Sequence, residues 1–304
     1  MEHGSRVTPG VIGLGSMGLG AATSLVRAGF AARGHDIDAG ARERFEAAGG
    51  AVDADAAALA GACDVVAVFV VNADQIEQVL FASGAVAAAR PGTVFILSAT
   101  IPPARAEQFG MRLRDAGMLA IDAPVSGGAA RAAEGAMTIM ASGPDAAFER
   151  ADPVLRAIAT RVFRLGDAPG AGSRMKLVNQ HLAGIHIVAA AEALVLAIGM
   201  GLDPHRVIET IRDCAGTSWM FENRGPHIAD GDYKPLSAVD IFVKDLGIVI
   251  EESGRQGFDP VLASRALDQF RRAAAEGWGR ADDAAVARIY AGDAGIALPD
   301  AGRV

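Results

Sequence analysis

The sequence predicts an α/β fold in which a doubly wound parallel sheet is followed by an all-α C-terminal domain. Three observations predict it. A glycine-rich turn follows a short apolar run near the start of the chain. Apolar runs typical of buried strands then alternate with helical stretches, and from Ala171 onward such runs largely disappear. A length of 304 residues suggests about two domains, which we place at residues 1–168 and 169–304, the second beginning with a long interdomain helix.

The first element is the apolar run Pro9–Ile12, which precedes the pattern Gly13-x-Gly15-x-x-Gly18 and a helical stretch. A buried strand, a tight glycine turn and a helix N-terminus are the parts of a dinucleotide-binding Rossmann unit. In such a unit the first glycine permits the turn, the second lets the backbone approach a pyrophosphate, and the third allows close helix packing. The predicted cofactor-binding residues of this turn are Gly13, Leu14, Gly15, Ser16, Met17 and Gly18.

The next strand is predicted over residues 31–37, and Asp36 lies near its end, 21 residues after Gly15. A carboxylate at about this interval accepts hydrogen bonds from the adenosine ribose and repels a 2′-phosphate, which predicts NAD as the cofactor. The alternative is that Asp36 is solvated and that Arg42 or Arg44 holds the 2′-phosphate of NADP.

The remaining elements of the first domain follow from apolar runs and helical spacing. Strands are predicted at residues 64–71, 92–97, 118–122, 137–141 and 161–165, and helices at residues 74–82 and 101–116. These strands predict a doubly wound parallel sheet with an extension.

The second domain is predicted to be helical throughout. Residues 173–200 form one long apolar helix, and Asp203-Pro204 provides an N-cap and a first-turn proline for the next. Further helices are predicted at residues 237–254 and 259–276. The helix at residues 173–200 has more apolar surface than a small helical domain can cover. We therefore expect this surplus surface, together with residues 259–276, to bind another subunit in a homodimer or homotetramer.

Composition narrows the functional classes. Hydrophobic residues make up 51% and charged residues 21%, as in globular proteins, and a net charge of −8 argues against a nucleic-acid partner. The start of the chain is too polar for a signal peptide, and the most apolar stretch is interrupted by His186 and Glu192, so we expect a cytoplasmic protein without a membrane partner. The histidines and the two cysteines show no ligand spacing, which predicts a reaction without a metal.

Polar residues on the long apolar helix are candidates for the chemistry. Helical spacing puts Lys176, Asn179 and Gln180 on one face, where they line a polar pocket or, equally well, cap a neighbouring chain. Ser126, Gly127 and Gly128 follow a predicted strand, and such a turn either holds a carboxylate or is an ordinary loop. A third segment sets the pair Lys244-Asp245 in an apolar helix, which is also typical of a salt-bridged helix face.

Taken together, these motifs resemble the β-hydroxyacid dehydrogenase family, which includes the 3-hydroxyisobutyrate dehydrogenases. The resemblance rests on four segments in family order: Gly-Leu-Gly-Ser-Met-Gly at 13–18, Asp-Ala-Pro-Val-Ser-Gly-Gly at 122–128, Gly-x-Gly-x-x-x-Lys-x-x-Asn-Gln at 170–180, and Lys-Asp-Leu at 244–246. Residues 218–224 and 231–246 are similar to the L-threonate dehydrogenase branch.

The resemblance implies roles for individual residues. Lys176 is then the catalytic acid and base, Ser126, Gly127 and Gly128 hold the substrate carboxylate, and Asn179 orients the reacting oxygen with help from Gln180. It also implies that further residues contact the cofactor: Val70, Val71, Gln75, Thr100 and Lys244. The family often has a second asparagine where this chain has Gln180, which leaves the substrate hydrogen bonding open.

The resemblance implies NAD-dependent oxidation of a small hydroxy acid, with L-threonate oxidised to 2-oxo-tetronate as the favoured reaction. Two alternatives within the same chemistry are a reductase of tartronate or succinic semialdehyde and a 3-hydroxyisobutyrate dehydrogenase. A non-enzymatic alternative is a silent NAD-binding regulator, against which the presence of Lys176, Asn179 and Ser126 together argues. Imine-reducing relatives usually lack the lysine, so Lys176 argues against that activity as well.

Overall fold

The computed structural model describes residues 7–300 and divides them into two compact units, with the division between Lys176 and Leu177. The sequence predicts the domain division after residue 168. That position lies just before the helix Ala171–Gly199, which contains the division seen in the structure. Residues 1–6 and 301–304, which the two predicted domains include, lie outside the described range.

The first unit contains a six-stranded parallel sheet. Its strands are β1 (Pro9–Ile12), β2 (Arg33–His35), β3 (Ala51–Val52), β4 (Val65–Val68), β5 (Val94–Leu97) and β6 (Leu119–Asp122). They are ordered β3-β2-β1-β4-β5-β6, which is the doubly wound order with its switch point between β1 and β4. Every residue of β1, β4 and β5 is buried, as the apolar runs predict for strands covered on both faces. The predicted fold class is confirmed.

Eight helices accompany these strands in the described part of the unit. They are α1 (Ser16–Arg27), α2 (Ala39–Ala47), α3 (Ala56–Ala62), α4 (Ala73–Glu77), α5 (Ala85–Ala88), α6 (Pro103–Asp115), α7 (Gly128–Glu134) and α8 (Asp145–Ile158). A π-helical turn, Gln78–Ala82, continues α4, and α6 follows Pro102 with Pro103 as its first residue, a position where the missing N–H of proline costs nothing. A Cβ atom on Gly20 of α1 would lie 2.6 Å from the backbone of Ala132, so this glycine lets α1 and α7 pack closely.

The predicted extension of the sheet forms a separate, three-stranded sheet. Its strands are β7 (Val125–Ser126), β8 (Met137–Ala141) and β9 (Ala159–Arg164), in the order β7-β8-β9. β7 is antiparallel to β8, and β9 is parallel to it. The two residues of β7 are too few to give a periodic pattern, which explains why the sequence predicts a turn there.

One helix, α9 (Ala171–Gly199), crosses the division between the units. It is long and apolar enough to span a membrane by those two criteria alone, and half of its most apolar 18-residue window is buried inside the protein. Partial burial of this kind is typical of a core helix with one face exposed on the protein surface.

The second unit continues with helices only in its described part. They are α10 (Pro204–Ile211), α11 (Trp219–Asp230), α12 (Val239–Arg255), α13 (Val261–Ala273) and α14 (Ala287–Ala294), with an irregular turn at Ala274–Trp278 that is kinked at Gly277 and a 3-10 turn at Asp283–Val286. The Asp203 side chain accepts a hydrogen bond from the Arg206 N–H at 2.9 Å, so the predicted N-cap of α10 is confirmed.

A buried ion pair joins α11 to the 3-10 turn. The Arg224 guanidinium donates to both carboxylate oxygens of Asp283, at 2.5 and 3.1 Å, and both residues are at most 5% exposed. Burial raises the pKa of Asp283 to about 6, while the Arg224 pairing opposes that shift. This pair fixes α11, which the sequence does not predict as a helix because Gly225 and Pro226 are helix breakers.

Candidate active site

The glycine loop between β1 and α1 has the geometry of a dinucleotide cradle. Gly13 has a φ of +90°, and a Cβ on Gly18 would lie 1.8 Å from the Gly13 carbonyl oxygen, so neither position accepts a side chain. A Cβ on Gly15 would meet nothing within 4 Å. No side chain caps the N-terminus of α1, which begins at Ser16. An open loop followed by an uncapped helix N-terminus fits a pyrophosphate.

Asp36 follows β2 and binds this loop directly. Its Oδ2 atom accepts a hydrogen bond from the Leu14 N–H at 2.5 Å, and its Oδ1 atom accepts one from the Asp38 N–H at 2.8 Å. The carboxylate is partly exposed and keeps acceptor capacity for ribose hydroxyls. Arg42, which with Arg44 is a rival candidate for a 2′-phosphate, donates to the backbone carbonyls of Asp36 and Ile37 at 2.6 and 3.1 Å.

The loops after β4 and β5 hold the other predicted cofactor residues of this unit. The Gln75 Oε1 atom accepts a hydrogen bond from the Val71 N–H at 2.7 Å, and the Gln75 N–H donates to Asn72 Oδ1 at 2.9 Å. Val70 and Thr100 are partly buried. Because these strands are parallel, their loops share one edge of the sheet with the glycine loop.

Lys176 lies beside the predicted carboxylate-binding turn. Only 7% of its surface is exposed, and Nζ donates to the Val125 carbonyl oxygen at 2.8 Å, next to Ser126. Gly127 and Gly128 have φ values of +126° and +69°, a conformation that glycine adopts without strain. The structure therefore brings together Lys176 and the Ser126–Gly128 turn, which sequence reasoning could only associate through family order.

Asp122 opens the family segment 122–128, but the sequence assigned it no role in the candidate site. It is fully buried at the end of β6, and its carboxylate accepts hydrogen bonds from the N–H groups of Gly170 and Ser173 and from the Ser173 hydroxyl, at 2.7 to 2.9 Å. It thereby caps the start of α9, one turn before Lys176. Burial raises the pKa of Asp122, and the hydrogen bonds from Ser173 and Gly170 oppose that rise. An aspartate closing an otherwise apolar strand is the signal that could have identified it.

The second unit carries the remaining predicted residues. Asn179 Nδ2 donates to Gln180 Oε1 at 2.9 Å, and Gln180 Nε2 donates to Asp245 Oδ2 at 2.5 Å. Lys244 Nζ forms an ion pair with Asp245 Oδ1 at 2.5 Å. The sequence assigned no role to Asp245, which is 2% exposed. Among residues 7–300, no group of three or more histidine, cysteine or acidic side chains is placed to hold a metal ion, and a metal-free reaction stays a prediction.

Family models match nearly the whole described chain. Residues 8–166 match the NAD-binding domain of 6-phosphogluconate dehydrogenase, and residues 170–290 match the NAD-binding domain of NADP-dependent 3-hydroxyisobutyrate dehydrogenase. The chain belongs to the β-hydroxyacid dehydrogenase family. The family resemblance drawn from the four motifs is confirmed, and the chain is an NAD-dependent hydroxyacid dehydrogenase.

Individual relatives within the β-hydroxyacid dehydrogenases are similar over their full length. An L-threonate dehydrogenase from Cupriavidus necator is 54% identical over 95% of this chain and 97% of that protein. An L-threonate dehydrogenase from Escherichia coli K12 is 48% identical over 99% of each chain. The crystal structure of a 3-hydroxyisobutyrate dehydrogenase from Salmonella typhimurium has 46% identity and a TM-score of 0.89, covering 93% of this chain and 99% of the other.

Proposed function

We propose that this dehydrogenase oxidises L-threonate to 2-oxo-tetronate with NAD. The position of Lys176, buried with its amine beside the Ser126–Gly128 turn, is the observation that carries the proposal. Relatives that are 45–54% identical and named L-threonate dehydrogenase support the choice of substrate. A carboxylate bound at the turn lies within reach of the lysine, which is the arrangement a hydroxy acid needs.

Each group has one task in this mechanism. The Ser126 hydroxyl and the glycine N–H groups bind the substrate carboxylate and orient the C–H bond that breaks. Lys176 Nζ, as the neutral amine, takes the proton of the reacting hydroxyl and returns it in the reverse direction. Asn179 binds the reacting oxygen. The nicotinamide, when bound, supplies the hydride acceptor.

We propose NAD rather than NADP because the Asp36 carboxylate stands at the glycine loop. Its charge repels a 2′-phosphate, and its free lone pairs accept the ribose hydroxyls. Arg42 uses Nη1 for its hydrogen bonds to the Asp36 and Ile37 carbonyls, so that nitrogen is already engaged within the protein. The remaining cofactor contacts that we propose come from Val70, Val71, Gln75, Thr100 and Lys244.

A panel of hydroxy acids tests the substrate. We expect NADH formation with the highest kcat/KM for L-threonate, and lower values for 3-hydroxyisobutyrate, L-serine and glycerate. Assays of NADH oxidation with tartronate and succinic semialdehydes test the reductase alternative in the same experiment. A preference for 3-hydroxyisobutyrate would assign the enzyme to the activity named in its Salmonella relative. Tight NADH binding without turnover of any member would instead indicate a regulator.

We also propose that the enzyme is a cytoplasmic homodimer or homotetramer. One face of α9 is apolar and exposed, with Val178, Leu182, Leu196 and, directly after the helix, Met200 each 49–68% exposed. Val178 and Leu182 are four residues apart, as are Leu196 and Met200, which places the four side chains along one stripe. Monomers rarely expose a continuous apolar stripe of this length, which supports burial against a second copy.

A further inference from the structure

Arg131 lies beside the turn at which we place the substrate carboxylate. It is exposed on α7, four residues after Gly127. A Cβ atom built on Gly127 would lie 2.8 Å from Arg131 Cδ and 2.9 Å from Arg131 Cβ. The aliphatic part of the arginine therefore packs directly on this glycine, and the guanidinium, which is bonded to Cδ, lies next to the turn.

The geometry of an α-helix explains this placement. Helical side chains lean toward the N-terminus of their helix and cover the turn that precedes their own Cα atom. Because α7 begins at Gly128, a side chain one turn into the helix covers its start. Arg131 occupies that position, and its contact with Gly127 shows that its side chain takes this direction.

The positive charge of Arg131 is not used within the part of the chain that the structure describes. Among residues 7–300, its guanidinium forms no ion pair and no hydrogen bond. Glu134, three residues further along α7, is exposed and does not pair with it. By contrast, Arg27 on α1 donates to the Ala133 carbonyl of α7. The donors of Arg131 are therefore available to a ligand.

The proposed mechanism leaves the substrate carboxylate without a countercharge. The donors assigned to it are the Ser126 hydroxyl and the N–H groups of Gly127 and Gly128, and all of them are neutral. Lys176 must be the neutral amine when oxidation begins, so it cannot balance the charge either. A guanidinium forms hydrogen bonds to a carboxylate that are roughly twice as strong as those between neutral groups, and it can contact both oxygens.

We propose that Arg131 is a substrate-binding residue, whose guanidinium pairs with the carboxylate held at the Ser126–Gly128 turn and makes the enzyme select acids over their neutral analogues. This role rests on the proposed function for the placement of the carboxylate at the turn. It is the same for every hydroxy acid, since all of them carry the carboxylate.

The affinities for an acid and for its amide test this pairing. L-threonate and L-threonamide have the same hydroxyls and differ in charge at C1, and glycerate and glyceramide form a second pair. Calorimetric titration of the enzyme–NADH complex measures each Kd without turnover, because the cofactor is already reduced. Arg131→Met keeps the unbranched stem on Gly127 and removes the charge, so the preference for each acid over its amide should fall by about tenfold or more. Arg131→Lys should retain most of it.

A matched control removes the same charge elsewhere. Arg114 is 73% exposed in the last turn of α6, shortly before β6 begins, so it lies at the opposite edge of the sheet from the turn that follows β6. Arg114→Met should leave the preference for each acid at the wild-type value. Both arginines are exposed, so the melting temperature should stay close to that of the wild type in all three variants.

The outcomes are distinct. An unchanged preference in Arg131→Met would overturn the pairing, even where L-threonate is oxidised as proposed. An unchanged preference together with weaker NADH binding would place the guanidinium on the cofactor pyrophosphate instead. An equal loss in Arg114→Met would show that only the overall charge matters. Rejection of L-threonate with an Arg131-dependent preference for glycerate over glyceramide would refute the proposed substrate and leave the pairing intact.

Discussion

At the scale of single residues, Lys176 is the side chain on which the proposed reaction depends. Replacing it by alanine removes the proton acceptor, and we expect kcat to fall by about 10² to 10⁴-fold. NAD affinity should change little, because the cradle of Gly13–Gly18 and Asp36 is independent of this side chain. Lys176→Arg should not restore activity, since a guanidinium keeps its proton at working pH.

Pre-steady-state kinetics and thermal melting on one preparation check this prediction. The pH profile of kcat/KM for oxidation should rise through one ionisation, which disappears in the alanine variant. A folded Lys176→Ala enzyme that transfers hydride at the wild-type rate would show that the lysine only supports the Val125 carbonyl.

Asp36 is the residue that should set the choice of cofactor. Asp36→Ala removes the repulsion of a 2′-phosphate and the acceptors for ribose hydroxyls, so NAD should bind more weakly and the preference for NAD should narrow. The variant also removes the acceptor of the Leu14 N–H, which in the wild-type protein donates to the Asp36 carboxylate. Titration of each cofactor by fluorescence, beside kcat/KM values, measures both effects. A wild-type enzyme with a higher kcat/KM for NADP would contradict the assignment.

At the scale of elements, the start of α9 is fixed by Asp122. In Asp122→Ala, two N–H groups and one hydroxyl lose a buried acceptor, so we expect the free energy of unfolding to drop by about 1–3 kcal/mol. Activity should fall as well, because Lys176 lies one turn inside this helix. Chemical denaturation and kcat on the same variant test the two effects together.

A second helix cap serves as the control for Asp122. Asp203 caps α10 in an exposed position, and Asp203→Ala should cost about 0.5–2 kcal/mol while kcat stays at the wild-type value. Equal activity in both variants would mean that the anchoring of α9 by Asp122 has no bearing on Lys176.

The sequence predicts the elements whose signal is local. Buried strands such as β4 and β5 are apolar runs, and the glycine loop has its full pattern within six positions. β7 and α7 are missed because they are two and seven residues long, and α11 because Pro226 lies inside it. The hydrogen bond from Gln180 to Asp245 is missed for a different reason. It joins Gln180 to Asp245, and no periodicity connects residues on separate helices.

At the scale of the whole molecule, the open stripe on α9 predicts association. Wild-type protein should have the mass of a dimer or tetramer by light scattering at micromolar concentration. A charge introduced into an apolar interface is left without a partner when buried, so Leu182→Glu should shift the mass toward the monomer. Met111→Glu introduces the same charge at an equally exposed apolar position on α6, and it should keep the wild-type mass. A monomeric wild-type protein would mean that the stripe on α9 faces solvent, and a dimer unaffected by Leu182→Glu would place the interface on another surface.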